Sequence, residues 1–196
     1  MICTDRDEVA DRCRIMSLHG ISRDAWKRYT ASGSWYYEIE EAGFKYNLTD
    51  LAAAIGLVQL GRAEEMRRAR EQVAWAYGER LAGGPLAQLI ELPAAPGLDT
   101  VHAWHLYPIR IAASIDRAAV IDTLANSGIG TSVHFIPLHM HPYYRRTYGY
   151  SRDDLPVAAD EYEREISLPI YPDLSEAEID RVCDSLASAM FSATRT

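Results

Sequence analysis

Apolar residues recur at helical spacing at Val9, Cys13 and Met16, which predicts a helix close to the start of the chain. Asp5 is its expected N-cap, and Met1 to Thr4 read as a short extended piece leading into it. A strand that feeds a helix ordinarily lies inside a sheet, so the expectation is that Met1 does not open a folding unit. From His19 to Lys45 the periodicity fails. The stretch is rich in aromatics (Trp26, Tyr29, Trp35, Tyr36, Tyr37, Phe44) and punctuated by Gly20, Gly33 and Gly43, and loops of this length usually line a site or an interface.

A long helix is predicted from about Leu48 to Ala82, with Asn47 at the N-cap and Asp50 three residues on, as in a capping box. Ala52, Ala53 and Gly56 form a small-residue face that another backbone could approach closely. Arg62 to Glu71 is instead a solvated face, where Glu64 and Arg68, or Arg67 and Glu71, stand one turn apart and can pair. Gly83, Gly84 and Pro85, then Pro93, Pro96 and Gly97, punctuate a linker around a short strand at Leu89 to Leu92. Beyond it the pattern predicts a strand at His105 to Ala112, a helix at Arg117 to Asn126 and a second strand at Thr131 to Ile136. A terminal helix follows from Glu176 to Met190, with Ser175 as N-cap and Ile179, Val182, Leu186 and Met190 on one stripe. Strand, helix, strand in that order argues for an α/β fold.

Composition narrows the function. The 196 residues are 48% apolar, enough for a core, and 28 acidic against 20 basic side chains give a net charge of −8. With only two lysines, Lys27 and Lys45, no basic surface suited to nucleic acid is evident. Cys3, Cys13 and Cys183 are odd in number and scattered, which fits a reducing cytoplasm and inert thiols buried on apolar positions. The longest apolar run, Leu51 to Leu60, is too short for the roughly 20 residues of a membrane span, and the acidic residues at positions 5, 7 and 8 leave no room for a signal peptide core.

His134 to Tyr144 (HFIPLHMHPYY) is the most unusual segment, placing three imidazoles and two phenols in a proline-bounded loop. Its groups suit a polyhydroxylated ligand, since each donates or accepts a hydrogen bond; packing within an aromatic loop is the plainer alternative. A metal site would want a carboxylate at a ligand spacing, and none is near. Asn47 stands where a helix N-terminus would favour a phosphate, although spacing alone marks it only as a cap. There is no G-x-S-x-G, no glycine-rich phosphate loop and no dinucleotide fingerprint.

Six segments in order, HGISRDAWKRY (His19 to Tyr29), WYYE (Trp35 to Glu38), GFKYNLTDLAAAIGLVQL (Gly43 to Leu60), HAWHLYPIRI (His102 to Ile111), GIGTSVHFIPLHMHPYY (Gly128 to Tyr144) and SLPIYPDLS (Ser167 to Ser175), resemble the DegT/StrS sugar aminotransferases. The resemblance covers nearly the whole chain. It implies the C-terminal part of a fold type I, pyridoxal 5'-phosphate-dependent homodimer that transfers an amino group, usually from glutamate, to a nucleotide-linked keto sugar. Residues 1–60 would complete the large cofactor domain and 61–196 would form the small domain.

The same resemblance implies an absence. The family's covalent cofactor lysine precedes a Gly-Glu-Gly-Gly stretch that leads into the elements beginning here at Met1, and neither Lys27 nor Lys45 stands in that context. No catalytic residue is therefore assigned, and the chain alone is expected to be inactive, having neither the covalent anchor nor the general base. By the resemblance, Asn47 reaches the cofactor phosphate of the facing subunit. His134 and His139 match a region lining the sugar pocket, and Trp35, Tyr36 and Lys45 fall in a loop approaching the neighbouring active site, where Lys45 would meet a nucleotide phosphate. Two alternatives stay open: the family's sugar dehydratase branch, in which histidine replaces the lysine, and a non-catalytic partner of an intact relative.

Overall fold

A computed structural model of the chain describes residues 2–21 and 37–194. Two compact units emerge, Met1–Gly61 and Arg62–Thr196.

In the first unit, α1 (Asp7–Ser17) is entered from Arg6 and carries Asp7 and Glu8 in its first turn, where negative charge suits the helix dipole. Arg6, not Asp5, holds the N-cap position, and it caps through no side-chain bond. Residues 2–4 lie in no strand, because nothing among the described residues pairs with them. After α1 the chain turns at Gly20, with φ at 69°, and residues 40–46 return alongside. The His19 amide donates to Phe44 O at 2.8 Å, and the Phe44 amide donates to Met16 O at 2.7 Å. Gly20 and Gly43 approach backbone to backbone so closely that a Cβ on either would collide with main-chain atoms of the other strand of this turn.

The long helix α2 (Asp50–Leu81) starts two residues later than its pattern predicts and ends one residue earlier. Its cap is Thr49, whose Oγ1 accepts from the Ala52 amide at 3.3 Å while its carbonyl accepts from Ala53 at 2.8 Å; Asn47 lies before the cap. In its charged stretch Arg67 pairs with Glu64 at 2.9 Å and with Glu71 at 3.1 Å, and Arg68 pairs with Glu64 at 3.1 Å, the one-turn pairing expected of a solvated face.

The second unit is mixed α/β. Three strands, β1 (Ile90–Glu91), β2 (Tyr107–Ile111) and β3 (Glu165–Leu168), form an antiparallel sheet in that order. Along β2, Tyr107, Ile109 and Ile111 are buried while Pro108 and Arg110 face the other side, the period of two that a one-sided core imposes. The buried face packs with Val120 and Leu124 of α3 (Arg117–Asn126), with Tyr77 and Leu81 of α2, and with the stripe of α6 (Glu176–Ser192). Ser175 caps α6 in a reciprocal capping box with Glu178, and Ile179, Val182, Leu186 and Met190 are all buried. Arg80 of α2 pairs with Asp180 of α6 at 2.5 Å and also with Glu176.

Two elements break from the sequence pattern. Thr131 to Ile136 forms no strand; it makes one reciprocal bridge, Ser132 to Ser167, with bonds of 3.2 and 2.8 Å. The ladder stops there because the next available amide, that of His134, donates to the Glu165 side chain rather than to a carbonyl. Between residues 137 and 164, where no element is predicted, the chain makes α4 (Pro142–Tyr148) and α5 (Pro156–Arg164), each opened by a proline in its first turn. The thiols also differ from expectation: Cys183 is buried, Cys13 is half-buried and Cys3 is exposed, since the segment carrying Cys3 packs on no core among the described residues.

Candidate functional site

A cavity of about 1060 Å3 in the second unit lies beside the face of the sheet that carries Pro108, Arg110 and Glu165. Pro108 and Arg110 project toward it from β2, Glu165 from β3, Glu161 and Tyr162 from α5, and His102, Trp104, His105, His134 and Phe135 from the two loops that flank the sheet. The walls are largely aromatic. The His102 and Trp104 rings lie 4.3 Å apart, Trp104 and Tyr107 lie 5.8 Å apart, and the Arg117 guanidinium sits 4.7 Å over the Tyr162 ring.

Local chemistry holds these walls. Trp104 has φ at 45°, a left-handed conformation costly for a bulky residue, and its amide donates to His102 Nδ1 at 2.9 Å. The Trp104 indole Nε1 is buried with no hydrogen-bond partner among the described residues, an unspent donor at the cavity wall. Arg110 is engaged by Glu91 at 3.0 Å and Glu161 at 3.1 Å, and the hydrogen bond it donates to Glu161 raises its already high pKa. Glu91 is lowered in turn, chiefly by its hydrogen bond with Arg164. Arg110 is thus committed within the protein, while the cavity's buried carboxylate, Glu165, accepts from the His134 amide at 2.9 Å through one oxygen and from Ser167 Oγ at 2.5 Å through the other.

The expected site residues divide between the units. His134 lines the cavity. His139 does not; it is 3% exposed, and its Nε2 has no partner among the described residues. In the first unit Lys45 is exposed and bridges Leu18 through the main chain, and Asn47 is exposed in the segment before Thr49. Trp35 and Tyr36 lie outside the described residues, as does Lys27. Sequence reasoning missed Trp104 and Glu165. The signal for Glu165 was a carboxylate opening a short strand, Glu165–Leu168, whose other three residues are Ile, Ser and Leu. Among the described residues no three His, Cys, Asp or Glu side chains gather to hold a metal ion, and no helix is long and apolar enough to cross a membrane.

Residues 1–187 match the DegT/DnrJ/EryC1/StrS aminotransferase family. The chain is 50% identical over 189 residues to the uncharacterized protein MJ1066 of Methanocaldococcus jannaschii, and 42% identical over 197 residues to the spore coat polysaccharide biosynthesis protein SpsC of Bacillus subtilis. In both cases 95% of this chain aligns with 48% of the relative, so the chain spans about half the length of the curated relatives it matches. Among solved structures it is similar to Spr1654 from Streptococcus pneumoniae in its PMP form, with a TM-score of 0.85 and 30% identity over 96% of this chain and 46% of that one. The sugar aminotransferase CalS13 from Micromonospora echinospora follows at a TM-score of 0.73 and 28% identity, over 93% of this chain and 45% of that one. The fold is therefore that of part of a fold type I transferase, mixed α/β, with the β1–β2–β3 sheet in its second unit.

Proposed function

Because the chain belongs to the DegT/DnrJ/EryC1/StrS aminotransferase family, we propose that it supplies the C-terminal part of a pyridoxal-phosphate-dependent enzyme that moves an amino group from glutamate onto a nucleotide-linked keto sugar. The observation that carries the reading is the match over residues 1–187 together with the likeness to Spr1654, which is known in both PLP and PMP forms. Such a protein works in the cytoplasm as a homodimer, with residues 1–60 in the cofactor domain and 61–196 in the small domain.

The residues present fit one end of the cofactor only. Asn47 is exposed beside the start of α2, where its amide can donate to a phosphate oxygen. The described residues offer no lysine amine except that of Lys45, which is exposed. When bound, the cofactor supplies the electron sink that lets an amino group change owners. This chain's own share is to bind and orient: Asn47 on the phosphate, Trp35, Tyr36 and Lys45 toward the nucleotide, and His134 toward the sugar.

The test uses two proteins. The chain alone, supplied with pyridoxal phosphate, glutamate and a panel of nucleotide-linked keto sugars, is expected to yield no amino sugar. The chain joined to the amino-terminal half of SpsC is expected to take up the cofactor and release 2-oxoglutarate. A joined protein that binds the cofactor yet never passes an amino group to any sugar of the panel refutes the reading; turnover by the chain alone refutes its dependence on a second half.

A second reading, a non-catalytic partner of a full-length relative, is favoured by one feature. Leu51, Ile55, Leu57, Val58 and Leu60 at the start of α2 are all more than 60% exposed, an apolar surface that suits association. Co-purification with a full-length relative, with no activity gained by joining, would support it instead.

A further inference from the structure

His134, Ser167 and Glu165 form a chain of hydrogen bonds whose direction can be worked out by counting protons. The His134 amide is an obligatory donor, and it points at one oxygen of Glu165 at 2.9 Å. The other oxygen lies 2.5 Å from Ser167 Oγ. Both oxygens of the carboxylate are thus acceptors, so the single hydroxyl proton of Ser167 is spent on Glu165. Ser167 Oγ also lies 3.2 Å from His134 Nδ1. With its own proton committed, the hydroxyl can only accept there, and Nδ1 must carry the ring proton. Ser167 is 3% exposed and Glu165 8% exposed, so no bulk water competes to reverse the order. On the opposite side of the ring Nε2 has no partner among the described residues, while His134 itself lines the cavity.

We propose that Glu165 and Ser167 are positioning residues which lock His134 in its Nδ1–H tautomer, so that Nε2 presents a lone pair to the cavity as an acceptor for a hydroxyl donor. In its neutral form the oriented imidazole is directional, and it selects a ligand that brings its own proton to that wall. That this donor is a hydroxyl of the sugar rests on the proposed aminotransferase function; the tautomer does not.

The logic makes an unusual demand of Glu165→Gln. The His134 amide still requires an acceptor, so the glutamine oxygen must face it and the glutamine NH2 must face Ser167. Ser167 then accepts from the glutamine and donates its proton to Nδ1, and the ring proton moves to Nε2. One isosteric change two bonds away inverts the imidazole. Ser167→Ala removes the anchor without supplying a donor, and Ser167→Thr keeps the hydroxyl.

The experiment is long-range proton–nitrogen NMR on the 15N-histidine-labelled chain without ligand, at a pH about two units above the ordinary imidazole value of roughly 6.5 so that the rings are neutral. The His134 signals are assigned by their loss in His134→Gln. The wild type is expected to show Nδ1 as the protonated nitrogen and Nε2 as the bare one. Glu165→Gln should exchange the two, Ser167→Ala should abolish the preference, and Ser167→Thr should retain it. The signals of the other five of the chain's six histidines report whether each variant is folded. A wild type with its proton on Nε2 overturns the proposal whatever the variants do, and so does a folded Glu165→Gln whose tautomer is unchanged. Because no substrate or cofactor enters the measurement, its failure leaves the aminotransferase reading standing, and failure of that reading leaves the tautomer standing.

Discussion

Tyr77 joins α2 to the end of β3, and replacing it with Phe isolates one bond. The side chain is fully buried, its ring lies 5.0 Å from that of Tyr107, and its hydroxyl donates to the carbonyl of Pro169 at 2.9 Å. Tyr77→Phe keeps the ring and its packing but removes the hydrogen bond to the half-buried Pro169 carbonyl, a loss of about 0.5–1.5 kcal/mol. Taking the upper value, ~1.5 kcal/mol, and an unfolding entropy of about 2.1 cal/mol/K per residue over residues 62–196, the melting temperature of the second unit should fall by roughly 5 °C. Tyr107→Phe is the matched control. Tyr107 is 2% exposed, yet its hydroxyl has no partner among the described residues, so removing it should move the transition by less than about 2 °C. Thermal unfolding followed by far-UV circular dichroism, with urea titration to confirm that the midpoint shifts at constant slope, reads both variants. Equal shifts for the two, or no shift for Tyr77→Phe, would refute the argument that the bond rather than the ring carries the difference.

Alkaline stability should fall in two overlapping steps. Burial raises the Cys183 thiol from its ordinary 9.0 to about 11 and the Tyr107 phenol from 10.0 to about 12. A group raised on folding contributes stability that is complete below its unfolded value and lost as pH climbs through the folded one, so the urea midpoint should decline from about pH 9 to 12. Cys183→Ala should flatten the part between pH 9 and 11. Thr49→Ala should speed hydrogen exchange at the Ala52 and Ala53 amides by loosening the first turn of α2, at a cost of about 0.5–2 kcal/mol, whereas Asn47→Ala should leave both amides unchanged. Under native conditions iodoacetamide should modify Cys3 and spare Cys183, which should react only after unfolding, as read by peptide mass spectrometry.

Much of the α/β framework is legible from local pattern. The helix at Arg117–Asn126 has the predicted bounds, because Asp116 accepts from two amides at one end and Gly128, at φ 73°, ends the turn at the other. The terminal helix and its Ser175–Glu178 capping box follow from residues three positions apart. The cap of α2 was misplaced because Asn47 and Thr49 are both good caps, and only the path of the backbone decides between them. The helices opened by Pro142 and Pro156 carry a readable N-terminal signal that the aromatic loop obscured.

Neighbours within one turn of backbone set the course of the helices α1, α2, α3 and α6 and the buried stripe of α6, and six motifs spread along the chain mark the family. Only the tertiary structure brought Glu165 under the His134 amide, 31 residues away, and Ser167 beside the His134 ring, 33 residues away. Nothing in periodicity encodes such a meeting. It depends on β3 pairing with β2 on one side and touching Ser132 on the other, and on a buried carboxylate needing two donors, which in this fold are supplied by an amide and a hydroxyl from opposite sides of that bridge.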